Sequence, residues 1–214
     1  TNSANVSWLA DLPHRDRLVG VWSTACGSMA RDLEPGAGSV ADRIEAMRFC
    51  QDLGIPVRVK FKPILPVLDW RQEYASVIEL LLRRTRPESI GFAMYMWHSY
   101  DAMSETLDLN LLDPQFVDAA RESADGMAGV ITGPFPHESR KEVYRHLIRE
   151  VRRHDRDVPL YVSTESRRMW EELGEELGQD PRFYICGCSS VAVPGRKLAL
   201  SQGLRYSTYH PTPV

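Results

Sequence analysis

Arg58, Lys60 and Lys62 stand at every second position of the segment PVRVKFKPILPVLDW, residues 56–70, with Val57, Val59 and Phe61 among them. Successive side chains of an extended strand point to opposite faces, so three cations share one face and three apolar groups the other. Burying an unpaired ammonium or guanidinium is costly, so the charged face must meet water, carboxylates or an anionic ligand. In a parallel α/β barrel the apolar face packs beneath helices and the cations look into the lumen, where they suit an anion. The competing reading is an ion-paired or edge-strand face, with PILP ending the strand at a rim where lysines reach water.

Other candidates lie at the ends of apolar runs. Ser23 and Thr24 close the run LVGVWST, where parallel α/β folds bind ligands; a hydroxyl there can bond a ribose or carboxylate, or cap a turn. His98 follows SIGFAMYMW, with Tyr95, Trp97, Ser99, Tyr100 and Asp101 around it. That cluster can form a substrate wall or an acid/base site, and a structural histidine is the alternative. Cys186 and Cys188 form a C-x-C pair, but no further Cys or His completes a metal site, so two thiols are expected. No G-x-G-x-x-G, Walker loop, G-x-S-x-G or H-E-x-x-H occurs, which removes the usual nucleotide, hydrolase and zincin signatures.

Five apolar, β-branched runs read as strands: 18–24, 56–61, 89–97, 158–164 and RFYICG at 182–187. Helical patterns alternate with them. Ser39 with Asp42 opens one helix, whose stripe includes Ile44, Met47 and Leu53 before Gly54 stops it. Asp69 with Gln72 opens a second, carrying Tyr74, Ile78, Leu81 and Leu82 on one face. Asp113 before Pro114 signals a third. Residues 138–154 and 166–177 place Val143, Leu147, Val151 and then Met169, Trp170, Leu173, Leu177 on single faces. The first strands recur at the spacing of a strand plus its crossover helix, which predicts a parallel sheet.

Bulk properties narrow the class. The 214 residues suffice for one sizeable core, and 43% hydrophobic with 26% charged residues is ordinary globular composition. A net charge of −3 makes any polyanion site local. No apolar run approaches bilayer length and no signal peptide is visible. Four cysteines are too few for a disulfide framework, so reduced thiols and a cytoplasmic location are expected. Residues 140–156 are basic and 165–180 acidic, a pairing that ordinarily marks two mutually attracting solvated helices.

TNSANVSWLADL, then VGVWST, then EPGAGSVADRIEAMRFCQDLGIPVRVKFKPILP resemble, in that order, the carboxyl-terminal half of radical S-adenosylmethionine proteins of the spore photoproduct lyase-like group, also called DNA repair photolyases. The resemblance implies a parallel-strand, partial (β/α) TIM-like barrel over residues 1–164, with 165–214 as a carboxyl-terminal α/β extension. It implies S-adenosylmethionine and a [4Fe-4S] cluster, which together generate a 5'-deoxyadenosyl radical. Ser23 matches the family's cofactor-contacting serine. Asn2 falls where many members carry a lysine for the cofactor carboxylate, a part that Lys60 or Lys62 can take instead.

The cluster-binding C-x-x-x-C-x-x-C is absent from these residues. The chain is therefore expected to be a fragment, with an amino-terminal half or complementary subunit holding the cluster and the chain alone inactive. The stretch ARESADGMAGVITGPF is short and nearly uncharged where spore photoproduct lyase has a basic aromatic hairpin for lesion DNA. His98 and Tyr95 are the expected substrate-facing residues and the reaction class is a lyase. Two alternatives stand beside it: a cluster-less module binding a phosphorylated or nucleic-acid ligand, and a complete barrel-like lyase or hydrolase using His98 with Asp101.

Overall fold

The computed structural model describes residues 1–178 and residue 186. Four strands, β1 (Gly20–Thr24), β2 (Val57–Ile64), β3 (Ile90–Met94) and β4 (Leu160–Val162), form one sheet in the order β1-β2-β3-β4. Every adjacent pair is parallel. Helices α1 (Gly27–Asp32) and α2 (Val40–Asp52) connect β1 to β2, and α3 (Trp70–Arg84) connects β2 to β3. Between β3 and β4 run α4 (Tyr100–Thr106), α5 (Pro114–Glu122), α6 (Ala124–Met127) and α7 (His137–His154); α8 (Arg167–Leu177) follows β4. Strand neighbours are also sequence neighbours, so the order never reverses as it does in a doubly wound sheet. Helices α2, α3, α7 and α8 pack side by side in the same order as the strands beneath them. No helix of the described residues is long and apolar enough to cross a membrane.

The alternation in β2 sets the layers. Val57, Val59 and Phe61 are fully buried on the helix side, where Phe61 meets the edge of Tyr74 from α3 at 6.0 Å and stacks on Phe92 at 5.9 Å. Cross-strand register puts Trp22, Val59, Ile90 and Leu160 in one row of that layer. Each such side chain removed from water contributes roughly 1.5–3 kcal/mol. The adjacent row, Ser23, Lys60, Gly91 and Tyr161, must therefore face the other side of the sheet.

Helix starts follow the side-chain signals in most places. Ser39 Oγ accepts the Asp42 N–H at 3.1 Å, Asp113 accepts that of Gln115 at 3.0 Å, and Ser166 caps α8 through Met169 N–H at 3.2 Å. Gly54 and Gly178 close α2 and α8 with φ of +78° and +69°, a backbone region that favours glycine. Asp69 departs from expectation: its side chain makes no capping bond, and its carbonyl alone receives the N–H groups of Gln72 and Glu73. The Glu73 carboxylate turns instead to the Ser28 N–H at the start of α1, 2.9 Å away.

Strand lengths depart too. β2 runs on through Pro63 to Ile64, while β3 and β4 are shorter than the apolar runs 89–97 and 158–164. The exits are conformational, since Trp97 and Thr164 adopt left-handed backbone at φ 69° and 57°. Helices α1, α4 and α6 are short and carry little periodic signal in sequence. The expected strand 182–187 lies outside the described residues apart from Cys186.

A buried guanidinium fastens the loop before α2 to the end of β1. Arg43, 0% exposed, donates to the Gly38 carbonyl at 2.7 Å, the Ser23 carbonyl at 3.4 Å and Glu34 Oε2 at 2.5 Å. Removing one partner of a buried, hydrogen-bonded pair strands the other. Arg43→Met is expected to destabilise the fold by about 3 kcal/mol, read as a lowered urea midpoint at unchanged m-value.

Candidate active site on the sheet face opposite the helices

Opposite the helices, β1, β2, β3 and β4 present Ser23, Lys60, Gly91 and Tyr161 in one row, neighbouring strands being about 4.8 Å apart. Glycine at 91 has a steric reason. A Cβ there would lie 2.3 Å from the Tyr161 ring, so the phenol lies across that strand toward Lys60. Lys60 is only 7% exposed, and its Nζ lies 3.1 Å from Cys186 Sγ. Ser23 is half-buried, whereas Thr24, one residue on, turns to the helix side with its hydroxyl buried and without a hydrogen-bond partner. Of the two hydroxyls singled out in the sequence, only Ser23 shares the cationic face. Neither hydroxyl is positioned to cap α1, whose N-cap residue is Cys26.

The three cations of β2 take separate environments. Arg58, at the amino-terminal end, is 1% exposed and donates to Glu88 Oε2 at 2.9 Å, the ion-paired alternative. Lys60 occupies the middle of the face. Lys62, at the carboxyl-terminal rim, places Nζ 4.5 Å above the Trp97 ring, a cation–π contact. Trp97 is 59% exposed and held in left-handed backbone, with its N–H on the Ile131 carbonyl at 3.0 Å. Such a conformation costs a bulky residue on the order of 1–3 kcal/mol and persists only where the surroundings fix it.

Tyr95 and His98 flank this tryptophan and stack on each other, ring centroids 4.8 Å apart and 20° from parallel. His98 is exposed, and its Nδ1 donates to the Met96 carbonyl at 2.9 Å. Asp101 sits exposed in the first turn of α4, so the structure gives His98 a backbone partner rather than Asp101. Lys62, Trp97, Tyr95 and His98 thus form one aromatic and basic rim at the ends of β2 and β3. Asn2 is exposed and lies beside the outer edge of β1, where its neighbour Thr1 accepts the Ser23 N–H at 2.7 Å.

A buried polar network behind the rim escaped the sequence reading. Glu165, with no side-chain exposure, receives Arg140 Nε at 2.9 Å, Arg140 Nη2 at 3.2 Å and the Tyr144 hydroxyl at 2.8 Å. Tyr144 Oη also accepts the Met94 N–H at 3.1 Å, and Arg140 donates to the Phe135 carbonyl at 2.6 Å. Burial and the Glu165 carboxylate both push the Tyr144 phenol well above its ordinary range, so it stays a donor. The available signal was Arg140 on the stripe that carries Tyr144, Val143, Leu147 and Val151 inward.

On the outer surface His137 and Lys141 of α7 meet Glu172 of α8 at 3.0 and 2.8 Å, with Arg168 at 2.6 Å. His137, Glu138 and Glu172 are the one grouping among the described residues able to hold a metal, and the Lys141 ammonium already bridges both carboxylates. His137 thereby has a structural role that sequence alone did not assign.

No family model matches the chain, and no curated protein does. Among solved structures, a variant of spore photoproduct lyase aligns over 76% of this chain and 48% of its own at 18% identity and TM-score 0.57. Spore photoproduct lyase complexed with dinucleoside spore photoproduct aligns over the same shares at 18% identity and TM-score 0.55. A further variant, with bound AdoMet and dinucleoside spore photoproduct, gives 19% identity and TM-score 0.53. The chain spans about half the length of these structures, and at this identity the fold is what they share.

The Glu172 cluster makes a pH-dependent contribution. Lys141, then His137 and Arg168, hydrogen-bond the carboxylate and hold its pKa far below the ordinary range. An acid depressed on folding stabilises above its unfolded pKa of about 4.3, and the contribution is lost as pH falls toward the folded value. The stability gap between the native chain and Glu172→Gln, measured by urea unfolding, is expected to be widest near neutrality and to close on acidification. A second substitution probes the latch behind the rim: Glu165→Gln, which leaves the Arg140 charge unmatched, is expected to cost about 3 kcal/mol in the same measurement.

Proposed function

We propose that this chain forms the cofactor- and substrate-facing strands of a radical S-adenosylmethionine lyase of the spore photoproduct lyase type, with the sheet completed into a partial barrel. The observation that carries the reading is the register of Ser23 with Lys60 on the face opposite the helices of a sheet whose fold aligns with those lyases. A nine-tenths-buried ammonium beside a half-buried hydroxyl suits the carboxylate of a bound amino acid moiety. In this reading Lys60 pairs with the cofactor carboxylate, Ser23 donates its hydroxyl to the same end, and Tyr161 excludes water from that part of the face. Bound there, the cofactor would supply the one-electron chemistry of the enzyme.

The cysteines among the described residues do not fit the iron–sulfur cluster. A [4Fe-4S] centre needs three thiolates converging on one point, and Cys50 lies within α2, Cys26 at the start of α1 and Cys186 beside Lys60. The reading therefore has the cluster contributed from outside these 214 residues, by a preceding half or a complementary subunit. On the substrate side, the stacked Tyr95 and His98 with Trp97 and Lys62 suit a flat, electron-poor ring beside an anionic group. Lys62 then serves as the charge at the rim rather than at the cofactor, and Asn2 has no required part.

Equilibrium dialysis of the purified chain against S-adenosylmethionine tests the assignment. Lys60→Met is expected to weaken binding tenfold or more and Ser23→Ala about fivefold, the worth of one ordinary hydrogen bond. A folded chain that does not bind the cofactor, or a Lys60→Met variant that binds it undiminished, overturns the reading. Under a strong reductant the 214-residue chain is expected to leave the cofactor intact. Cleavage would overturn the assignment of the cluster to another segment.

A further inference from the structure

His98 turns one ring nitrogen to the protein and the other to solvent. Its Nδ1 lies 2.9 Å from the Met96 carbonyl, an oxygen that can only accept, so the proton of the neutral ring sits on Nδ1. Moving that proton to Nε2 would set the Nδ1 lone pair against the carbonyl oxygen, which holds the ring in one tautomer. Nε2 is then an acceptor, and no described group meets it on this exposed residue. Tyr95 covers one face of the ring, so its orientation is set from two directions. The backbone on either side is fastened as well: Trp97 donates its N–H to the Ile131 carbonyl at 3.0 Å, and Ser99 Oγ accepts that of Ala102 at 3.2 Å. His137 and His146 differ, since each spends Nε2 inside the protein, on Glu172 and on the Arg71 carbonyl.

We propose that His98 determines which rings the rim accepts: its Nε2 takes a hydrogen bond from a ring N–H, selecting heterocycles with a lactam or imide edge over those that present a bare or alkylated nitrogen there. The inference rests on the reading that the rim takes the substrate, and it adds the chemistry by which one flat ring is told from another. The exposed Trp97 and the Tyr95–His98 stack supply attraction that is blind to identity, because every such ring has a π-face. The choice is made at the edge. A ring N–H pairs with Nε2, whereas a bare nitrogen sets two lone pairs against each other and an N-methyl group fills the space without donating. Lys62 is not required for the choice, and its cation–π contact with Trp97 is left as it stands. At an exposed edge the discrimination is that of one ordinary hydrogen bond, roughly two- to tenfold.

Quenching of tryptophan fluorescence in the full chain, in mildly alkaline buffer, is the readout, with uridine, 3-methyluridine, cytidine, inosine and 1-methylinosine as the titrants. The chain has five tryptophans, and loss of the quenching in Trp97→Phe assigns the signal to the rim. Uridine is expected to bind about fivefold more tightly than 3-methyluridine or cytidine, and inosine to exceed 1-methylinosine by the same factor. His98→Phe keeps a flat ring against Tyr95 but has no acceptor, so it is expected to retain binding and to bring the affinities together. Equal affinities for uridine and 3-methyluridine in the native chain overturn the inference alone, and that result needs no variant. A preference that survives in folded His98→Phe overturns it equally, even where all the affinities fall together. Absence of quenching by any of the rings, or quenching that persists in Trp97→Phe, overturns the rim reading and the inference with it.

Discussion

The phase of β2 is the constraint on which the rest of the molecule depends. Val57, Val59 and Phe61 can all be buried under α3 and its neighbours only if Arg58, Lys60 and Lys62 leave on the other face. A slip of one residue would carry the cations beneath the helices and the apolar set onto the polar face of Ser23 and Tyr161, so no intermediate register is tolerable. The row Trp22, Val59, Ile90, Leu160 then fixes the neighbouring row, and with it the approach of Ser23, Lys60 and Tyr161. The core, rather than any contact inside the site, decides where the site's charge stands.

Three of the buried guanidinium groups among the described residues are hydrogen-bonded at places where loops meet the sheet. Arg43 ties residues 34 and 38 to the end of β1; Arg140 and Tyr144 tie Glu165 to the ends of β3 and β4; Arg58 pairs with Glu88 at the opposite end of β2. Pairs of this kind add little net stability over apolar substitutes, because desolvation offsets most of the attraction. Their consequence is geometric. A loop held by a bidentate or multiply bonded guanidinium has few alternative positions, and Arg43 and Arg140 hold the loops that follow β1 and precede α7.

Much of the architecture was legible in the chain because it rests on patterns with a short physical cause. Alternation in β2, the Ser39 and Asp113 caps, and the apolar faces of α3, α7 and α8 each follow from local geometry, and the ordered resemblance anticipated the fold. Side-chain destinations were harder. Nothing in the sequence separates Arg58, which finds Glu88 thirty residues away, from Lys60, which finds Cys186 across 126 residues. Strand ends were misjudged because Trp97 and Thr164 turn left-handed against their intrinsic preference, a choice made by tertiary contacts. The Glu165 network was hidden for the same reason: a carboxylate just past a strand reads as solvated until Arg140 and Tyr144 are folded over it.

Thr164 and that network belong to one mechanical unit. Tyr144 Oη accepts the N–H of Met94 at the end of β3 and donates to Glu165, which lies one residue beyond Thr164 at the exit of β4. The two strand exits are thereby coupled through a single phenol, and Arg140 locks the carboxylate from the other side. Shifting Ser163 or Tyr161 relative to the end of β3 would break buried hydrogen bonds to a charged group, each worth more than an ordinary one. The rim beyond Met96 is under no such constraint: Trp97 and His98 are exposed, and their described contacts are backbone bonds, the Tyr95 stack and the Lys62 cation–π contact. In the proposed function, adaptation to an incoming ligand is therefore confined to the aromatic rim, while the row containing Lys60 and Tyr161 meets it as a fixed surface.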